Sequence, residues 1–286
     1  MSSDTIYQPI DYLVIGHLLQ DIYPTGPVLG GTAAYAALTA ASMGLRVGVL
    51  TAYPHQKNLP EMKNIQVAAQ PVSRPTTFEN QVTPRGRRQI IHHVAEPLQP
   101  ESLPAAWIST PIVHFGPMAQ ELPHSMLSLF PDSFIGLTPQ GWLRNWDEDG
   151  VVSTGHVSKA LEEALSTATA VVISVEDVAG DEQIIQRFVS LAKLLVVTEA
   201  AYGARLYHKG QVQHIQPPVV SEVDPTGAGD IFSAAFFSHL YRTGNAEDAA
   251  QFATRLAAQS VSRPGLKGIP QPAEVQQHLA EIIEKI

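Results

Sequence analysis

The sequence predicts an α/β fold with three layers, a central, mainly parallel sheet with helices on both faces. Two observations carry this. Short continuous runs of Val, Ile and Leu alternate with helical segments, as strands buried on both faces require. Hydrophobic residues make up 44% of the 286 positions and charged residues 16%, enough apolar material for a sizeable core. The length suits one large domain or two medium ones, and the pattern reads as one, residues 1–286, with a small β lid inserted.

The elements follow in order. Asp11 to Gly16 (DYLVIG) reads as the first strand. Gly31 to Met43 is a small-residue helix, stopped by Gly44 in the place of a C-terminal cap. Val47 to Tyr53 is the next strand, and Ile112–Phe115, Phe134–Leu137, Ala170–Val175 and Leu194–Thr198 are further buried ones. Ser158–Thr167 and Asp181–Lys193 are helical candidates between them. Residues 72–96 break the pattern. TTFENQV and RRQIIHHV flank Thr83-Pro84-Arg85-Gly86, a hairpin signal and a candidate lid.

Several functions are excluded or disfavoured. The net charge is −9, from 18 Lys and Arg against 27 Asp and Glu, which argues against a nucleic-acid binder. The absence of cysteine removes disulfides, zinc–thiolate sites, iron–sulfur clusters and thiol catalysis. Met1 to Tyr7 lacks a basic region leading into an apolar run, so no signal peptide is read there. The apolar stretch Thr32–Leu45 is shorter than the roughly 18 residues of a membrane span. The expectation is a soluble, cytoplasmic protein with no membrane partner. No dinucleotide-binding, P-loop or hydrolase-elbow motif occurs. His92 and His93 are adjacent on a strand and point to opposite faces, so they make a poor metal pair.

The most informative segment is Asp224-Pro225-Thr226-Gly227-Ala228-Gly229-Asp230, followed by an apolar helix that Gly244 ends. Small residues at a helix N-terminus let backbone N–H groups approach an anion, which the helix dipole also favours. Asp230 is out of place in such a turn unless it takes a proton from a nucleophile attacking a phosphate. The alternative reading is a first-turn helix acid, with Asp224 a turn-forming Asx residue.

D-x-T-G-A-G-D opening an apolar helix resembles the catalytic signature of the ribokinase-like sugar kinases, the phosphofructokinase-B family. The Gly30-Gly31 pair opening an alanine-rich helix, Gly16 followed by Asp21, the TTFEN…GRRQ hairpin and Val196–Ala204 (VVTEAAYGA) resemble the family's other landmarks. The resemblance implies that Asp230 is the catalytic base and that Gly227, Ala228 and Gly229 form the anion hole. Asp21, Gly30, Gly31, Tyr35 and Arg88 would bind substrate. Thr198, Gly203 and Thr226 would lie near the nucleotide. Asp177 would serve Mg²⁺ from its outer shell, and Asp224, with the loop Arg263–Gly268, a monovalent cation such as K⁺. His17 could touch substrate or simply pack.

The chain departs from the family pattern at three places. Tyr35 stands where an Asn is usual, Ser174-Val175-Glu176-Asp177 replaces N-x-x-E, and Leu137-Thr138-Pro139-Gln140 replaces a strand end in Asp-x-Asn/Arg. The implied function is an ATP- and Mg²⁺-dependent kinase for a small sugar, cyclitol or nucleoside, monomeric or dimeric through the lid. The alternative is a catalytically weak sugar- or nucleotide-binding sensor.

Overall fold

The computed structural model describes residues 6–54, 59–83 and 86–283. The chain enters the core on β1 (Tyr12–Ile15) and leaves it for an antiparallel pair, β2 (Leu19–Tyr23) and β3 (Gly26–Gly30). It returns through α1 (Thr32–Ser42) to β4 (Val47–Ala52) and β5 (Gln66–Gln70). A second excursion, β6 (Thr76–Thr83) and β7 (Gly86–His93), precedes β8 (Ile112–Phe115) and β9 (Phe134–Leu137). The one-turn α2 (Gln140–Leu143) and a small hairpin, β10 (Arg144–Trp146) and β11 (Val152–Thr154), come next. Then α3 (Lys159–Thr167), β12 (Ala170–Ser174), α4 (Glu182–Leu191) and β13 (Leu194–Thr198) alternate. A hairpin of β14 (Ala204–His208) and β15 (Gln211–Ile215) leads to α5 (Ala228–Thr243), α6 (Ala246–Ser260) and α7 (Pro272–Ile283).

Nine strands form the body sheet in the order β15-β14-β13-β12-β9-β8-β1-β4-β5, parallel except at β14 and β15. Its strands are apolar at successive positions because both faces are covered. Tyr12 and Val14 pack with α1, α5 and α6, while Leu13 and Ile15 pack with α3 and α4. Close packing fixes one glycine: a Cβ on Gly136 would stand 2.4 Å from the Phe237 ring. Among the described residues no helix is long and apolar enough to cross a membrane.

The hairpin expected as a lid belongs to a larger sheet. It is a four-stranded sheet, β3-β2-β6-β7, so residues 19–30 belong to it along with the hairpin. Both excursions leave the body near one buried carboxylate. Glu121 accepts the backbone N–H of His17 (3.1 Å), Met118 (2.9 Å) and Ala119 (2.6 Å). His17 is wholly buried, with Nδ1 2.7 Å from Thr76 Oγ1, which also accepts the N–H of Ala95. His17 therefore packs at the lid base.

A second buried histidine ties β1 to β8. The Tyr12 hydroxyl lies 3.0 Å from His114 Nδ1, and His114 Nε2 lies 3.0 Å from Thr138 Oγ1. Burial pushes His114 down to about 3, so it is neutral in the fold. An unfolded histidine titrates near 6.5, so the unfolded chain binds the extra proton first. This contribution to stability is full above about pH 6.5 and is lost as pH falls towards 3, at about 1.4 kcal/mol per pH unit. His114→Gln keeps a donor and an acceptor without the titration. Urea unfolding at about pH 7.5 and about pH 5.5 should show the variant losing about 1.4 kcal/mol less than the parent over that interval.

Candidate active site

One cavity of about 650 Å³ lies between the lid and the C-terminal ends of β9, β12 and β13. Parallel α/β sheets gather ligands at that edge. The N-terminus of α5 forms its floor. Pro225 to Ala228 close a turn in which the Ala228 N–H donates to Pro225 O at 3.2 Å. Gly227 sits at φ 81°, a left-handed position suited to glycine, and a Cβ there would strike the Tyr35 ring at 2.2 Å.

Of the expected anion hole, the Ala228 N–H is donated within the turn, and the Gly227 and Gly229 N–H groups have no acceptor among the described residues. Gly229 and Asp230 supply the first-turn N–H groups that have no carbonyl one turn back. Gly229 has an ordinary backbone, and a Cβ there would meet nothing within 4 Å. The glycine leaves room rather than relieving strain.

Asp230 Oδ1 accepts a 2.6 Å hydrogen bond from Thr32 Oγ1, at the start of α1. Burial lifts this carboxyl to about 6. The Thr32 hydrogen bond and the charge of Arg144 oppose the rise, and Asp177 and Asp21 add to it. Asp224 has a visible structural task. Its carboxylate accepts the N–H of Thr226 (2.9 Å) and of Gly265 (2.8 Å), tying the turn to the loop after α6. No group of three or more His, Asp and Glu positioned for a metal occurs among the described residues.

The lid supplies the next wall. Asp21 lies on β2, paired with Val28 and Phe78, and is 7% exposed. Its carboxylate covers Gly30, where a Cβ would come within 2.1 Å of Oδ2. Gly31 and Tyr35 line the cavity beside it. Burial, with Tyr23, Asp21, Asp224 and Asp230 nearby, pushes the Tyr35 phenol well up, so it stays neutral. Two lid residues that the sequence did not single out join them. Gln89 Nε2 donates to Asn80 Oδ1 (3.0 Å), and Asn80 Nδ2 lies 3.5 Å from Asp21 Oδ1.

Arg88, expected to bind substrate, does not line the cavity. It is exposed, and its neighbour Gln89 faces inward, because successive strand residues alternate faces. Arg85 and the side chain of Arg87 lie outside the described residues. The basic side chain that does reach the wall is Arg144, at the start of β10. It donates to Met118 O (2.9 Å) and Gln140 Oε1 (3.0 Å). Thr32, Gln140 and Arg144 also escaped the sequence reading. Only Gln140 carried a signal, in the unusual strand end Leu137–Gln140.

The far end of the cavity is a groove. Thr198, Gly203 and Thr226 line it. Gly203 sits at φ 92°, and a Cβ there would strike Ile215 O at 2.0 Å. Pro217, Pro218, Val220, Ala257, Ala258 and Val261 form an apolar shelf. Asp177 also lines the cavity, its Oδ2 accepting the Ser174 N–H at 2.8 Å in a capping box, and burial pushes its carboxyl up.

The family model described as pfkB family carbohydrate kinase matches residues 156–273. The inositol 3-kinase of Zea mays is 42% identical over 72 residues, 25% of this chain and 19% of that protein. The fructokinase of Escherichia coli is 36% identical over 96 residues, 31% of each. The matched stretch thus spans about a fifth of the maize protein's length and under a third of the bacterial one's. Among solved structures, a pyrophosphate-dependent kinase in the ribokinase family, complexed with a pyrophosphate analog and myo-inositol, superposes with TM-score 0.78 at 19% identity. It covers 93% of this chain and 99% of its own. Ribokinase from Thermotoga maritima gives 0.70 at 21%, covering 95% and 99%. At these identities the structural likeness speaks for the fold. The segment 156–273, which carries Asp177 and the Asp224–Asp230 turn, matches the pfkB family carbohydrate kinase model, and the chain has the fold of the ribokinase-family structures.

Proposed function

We propose that this chain transfers the terminal phosphoryl group of ATP to a hydroxyl of a small uncharged polyol, a cyclitol or a sugar. The observation that carries this reading is Asp230, a carboxyl lifted to about 6 beside uncommitted helix N–H groups. A pure binder has no use for a base in an anion site, which counts against the sensor alternative.

The acceptor lies under the lid. Asp21, Asn80 and Gln89 present hydrogen-bonding groups suited to adjacent hydroxyls. Asp230 takes the proton of the attacking hydroxyl, and the α5 N-terminus holds the phosphoryl group in line. The lid excludes water that would otherwise compete as acceptor. The maize relative's name and the myo-inositol held by the pyrophosphate-dependent neighbour favour a cyclitol. That neighbour also raises pyrophosphate as a rival donor. The apolar shelf favours ATP, because a pyrophosphate needs no apolar surface.

Among the described residues, Arg144 is the only basic side chain on a wall that carries Asp21, Glu176, Asp177, Glu222 and Asp230. Such a donor set fits a polyphosphate that enters with Mg²⁺. Asp177 and Glu176 would hold the ion through water, and the ion would neutralise charge on the leaving phosphates.

The purified protein, given Mg-ATP or Mg-pyrophosphate with a panel of cyclitols, sugars and nucleosides, tests the reading. Turnover is expected with ATP and a cyclitol or sugar. Binding without turnover would favour the sensor, and turnover with pyrophosphate alone would overturn the donor assignment.

Three variants test the parts. Asp230→Asn should lower kcat by about 10²- to 10⁴-fold. In the parent, kcat should fall as pH drops through about 6, because the base acts only when ionised. Gly229→Val should leave the melting temperature nearly unchanged yet abolish turnover, because its side chain enters space that the phosphate needs. Asp21→Ala removes a carboxylate acceptor worth about 1.5–3 kcal/mol and should raise the acceptor KM at least about tenfold. The ATP KM should hardly move. Steady-state kinetics varying each substrate separately would sink the Asp21 assignment if both KM values rise together.

A further inference from the structure

The cavity wall opposite α5 holds a chain of hydrogen bonds with a single direction. Arg144 Nη2 donates to Gln140 Oε1 at 3.0 Å. Arginine can only donate, so the carbonyl end of the Gln140 amide must face it. The NH₂ end then faces Thr32, and Gln140 Nε2 donates to Thr32 Oγ1 at 2.8 Å. The Thr32 hydroxyl has one hydrogen and two candidate acceptors, Asp230 Oδ1 at 2.6 Å and Met118 Sδ at 3.2 Å. Gln140 Nε2 also approaches that sulfur, at 3.4 Å, and a thioether accepts weakly. The hydrogen therefore goes to Asp230.

We infer that Thr32, oriented by Gln140 and Arg144, is a positioning residue that fixes the Asp230 carboxylate and leaves its Oδ2 as the atom that receives the proton. The inference rests on Asp230 being the base. Oδ1 is occupied by the Thr32 hydrogen, and Oδ2 has no hydrogen bond among the described residues. The acceptor's hydroxyl proton passes to Oδ2 as the new O–P bond forms and the bond to the leaving diphosphate breaks. Thr32 is wholly buried, so water cannot replace it.

The relay also works on the proton affinity of the base. The charged and titratable groups facing Asp230 are Arg144 on β10, Asp177 after β12, Asp21 on the lid and Tyr35 on α1. Thr32 and Arg144 hold the carboxyl down against burial and the two other carboxylates. Removing the hydroxyl raises Asp230 further, and the acidic edge of activity moves up in pH.

The test uses ¹³C NMR titration of the Asp230 carboxyl in the ligand-free protein, assigned by difference with Asp230→Asn, together with pH profiles of kcat. Thr32→Val should raise the Asp230 titration by about one pH unit, a shift equivalent to the loss of one hydrogen bond to a charged group. At about pH 8, where the carboxylate is ionised in both proteins, kcat should still be about tenfold lower because the base is no longer held. Thr32→Ser should restore both. Gln140→Leu should shift the titration the same way by less, with the donor KM unchanged. An unmoved titration in both Thr32→Val and Gln140→Leu would overturn the relay. A moved titration in a protein whose Asp230→Asn form keeps full turnover would leave the relay standing and remove Asp230 as the base.

Discussion

The structure turns on one electrostatic constraint. On the proposed function, a carboxylate and a phosphate must share the mouth of the same helix. Left to itself, the dipole of α5 would serve either anion, and the two would repel each other. The fold separates their tasks by geometry. The first-turn N–H groups of Gly229 and Asp230 point to where a phosphate would lie, and the Asp230 side chain is drawn sideways to Thr32. Burial then keeps the carboxyl near the pH at which a base both exists and works.

The rest of the cleft adds negative charge. Arg144 is the single described basic side chain on its wall, and it is held by Met118 O and Gln140. A cleft of this sign does not attract a bare polyphosphate. It suits one whose charge a divalent cation has reduced, with an uncharged acceptor beside it. On that proposal, hydrogen-bond direction rather than charge would select the acceptor, through the ladder Gln89–Asn80–Asp21.

The body of the fold was legible because its strands obey one rule. Asp11–Gly16, Val47–Tyr53 and Leu194–Thr198 are apolar at successive positions, and all three became strands buried on both faces. The rule fails where a strand is not buried along both faces. β2 (LQDIY), β14 (ARLYH) and β15 (QVQHI) mix polar and apolar residues because one side meets solvent or ligand, so they did not stand out as strands. That is why no strand was read at Asp21. Asp230 and its turn were legible because they are contiguous. Thr32, Asn80, Gln89, Gln140 and Arg144 were not, because each is a lone side chain brought in by a separate element. Arg88 misled because charge was weighed without strand parity, which turns Gln89 inward instead.

The acceptor pocket and the base are joined through one short loop. Residues 117–119 are held from below by Glu121, which also holds the His17 amide where the lid begins. From the side, Gly141 N–H bonds Pro117 O at 2.9 Å, and Arg144 bonds Met118 O. A Cβ on Gly141 would stand 2.3 Å from the Met118 nitrogen, so α2 and this loop pack with no slack. The Met118 side chain in turn touches Thr32 and Gln140, the two residues that orient Asp230. The loop therefore bears on the lid's pivot, the pocket wall and the base together. A close-packed junction of this kind transmits a displacement rather than absorbing it. On the proposed function, an acceptor seated under the lid would therefore bear on the same junction that orients the Asp230 carboxylate.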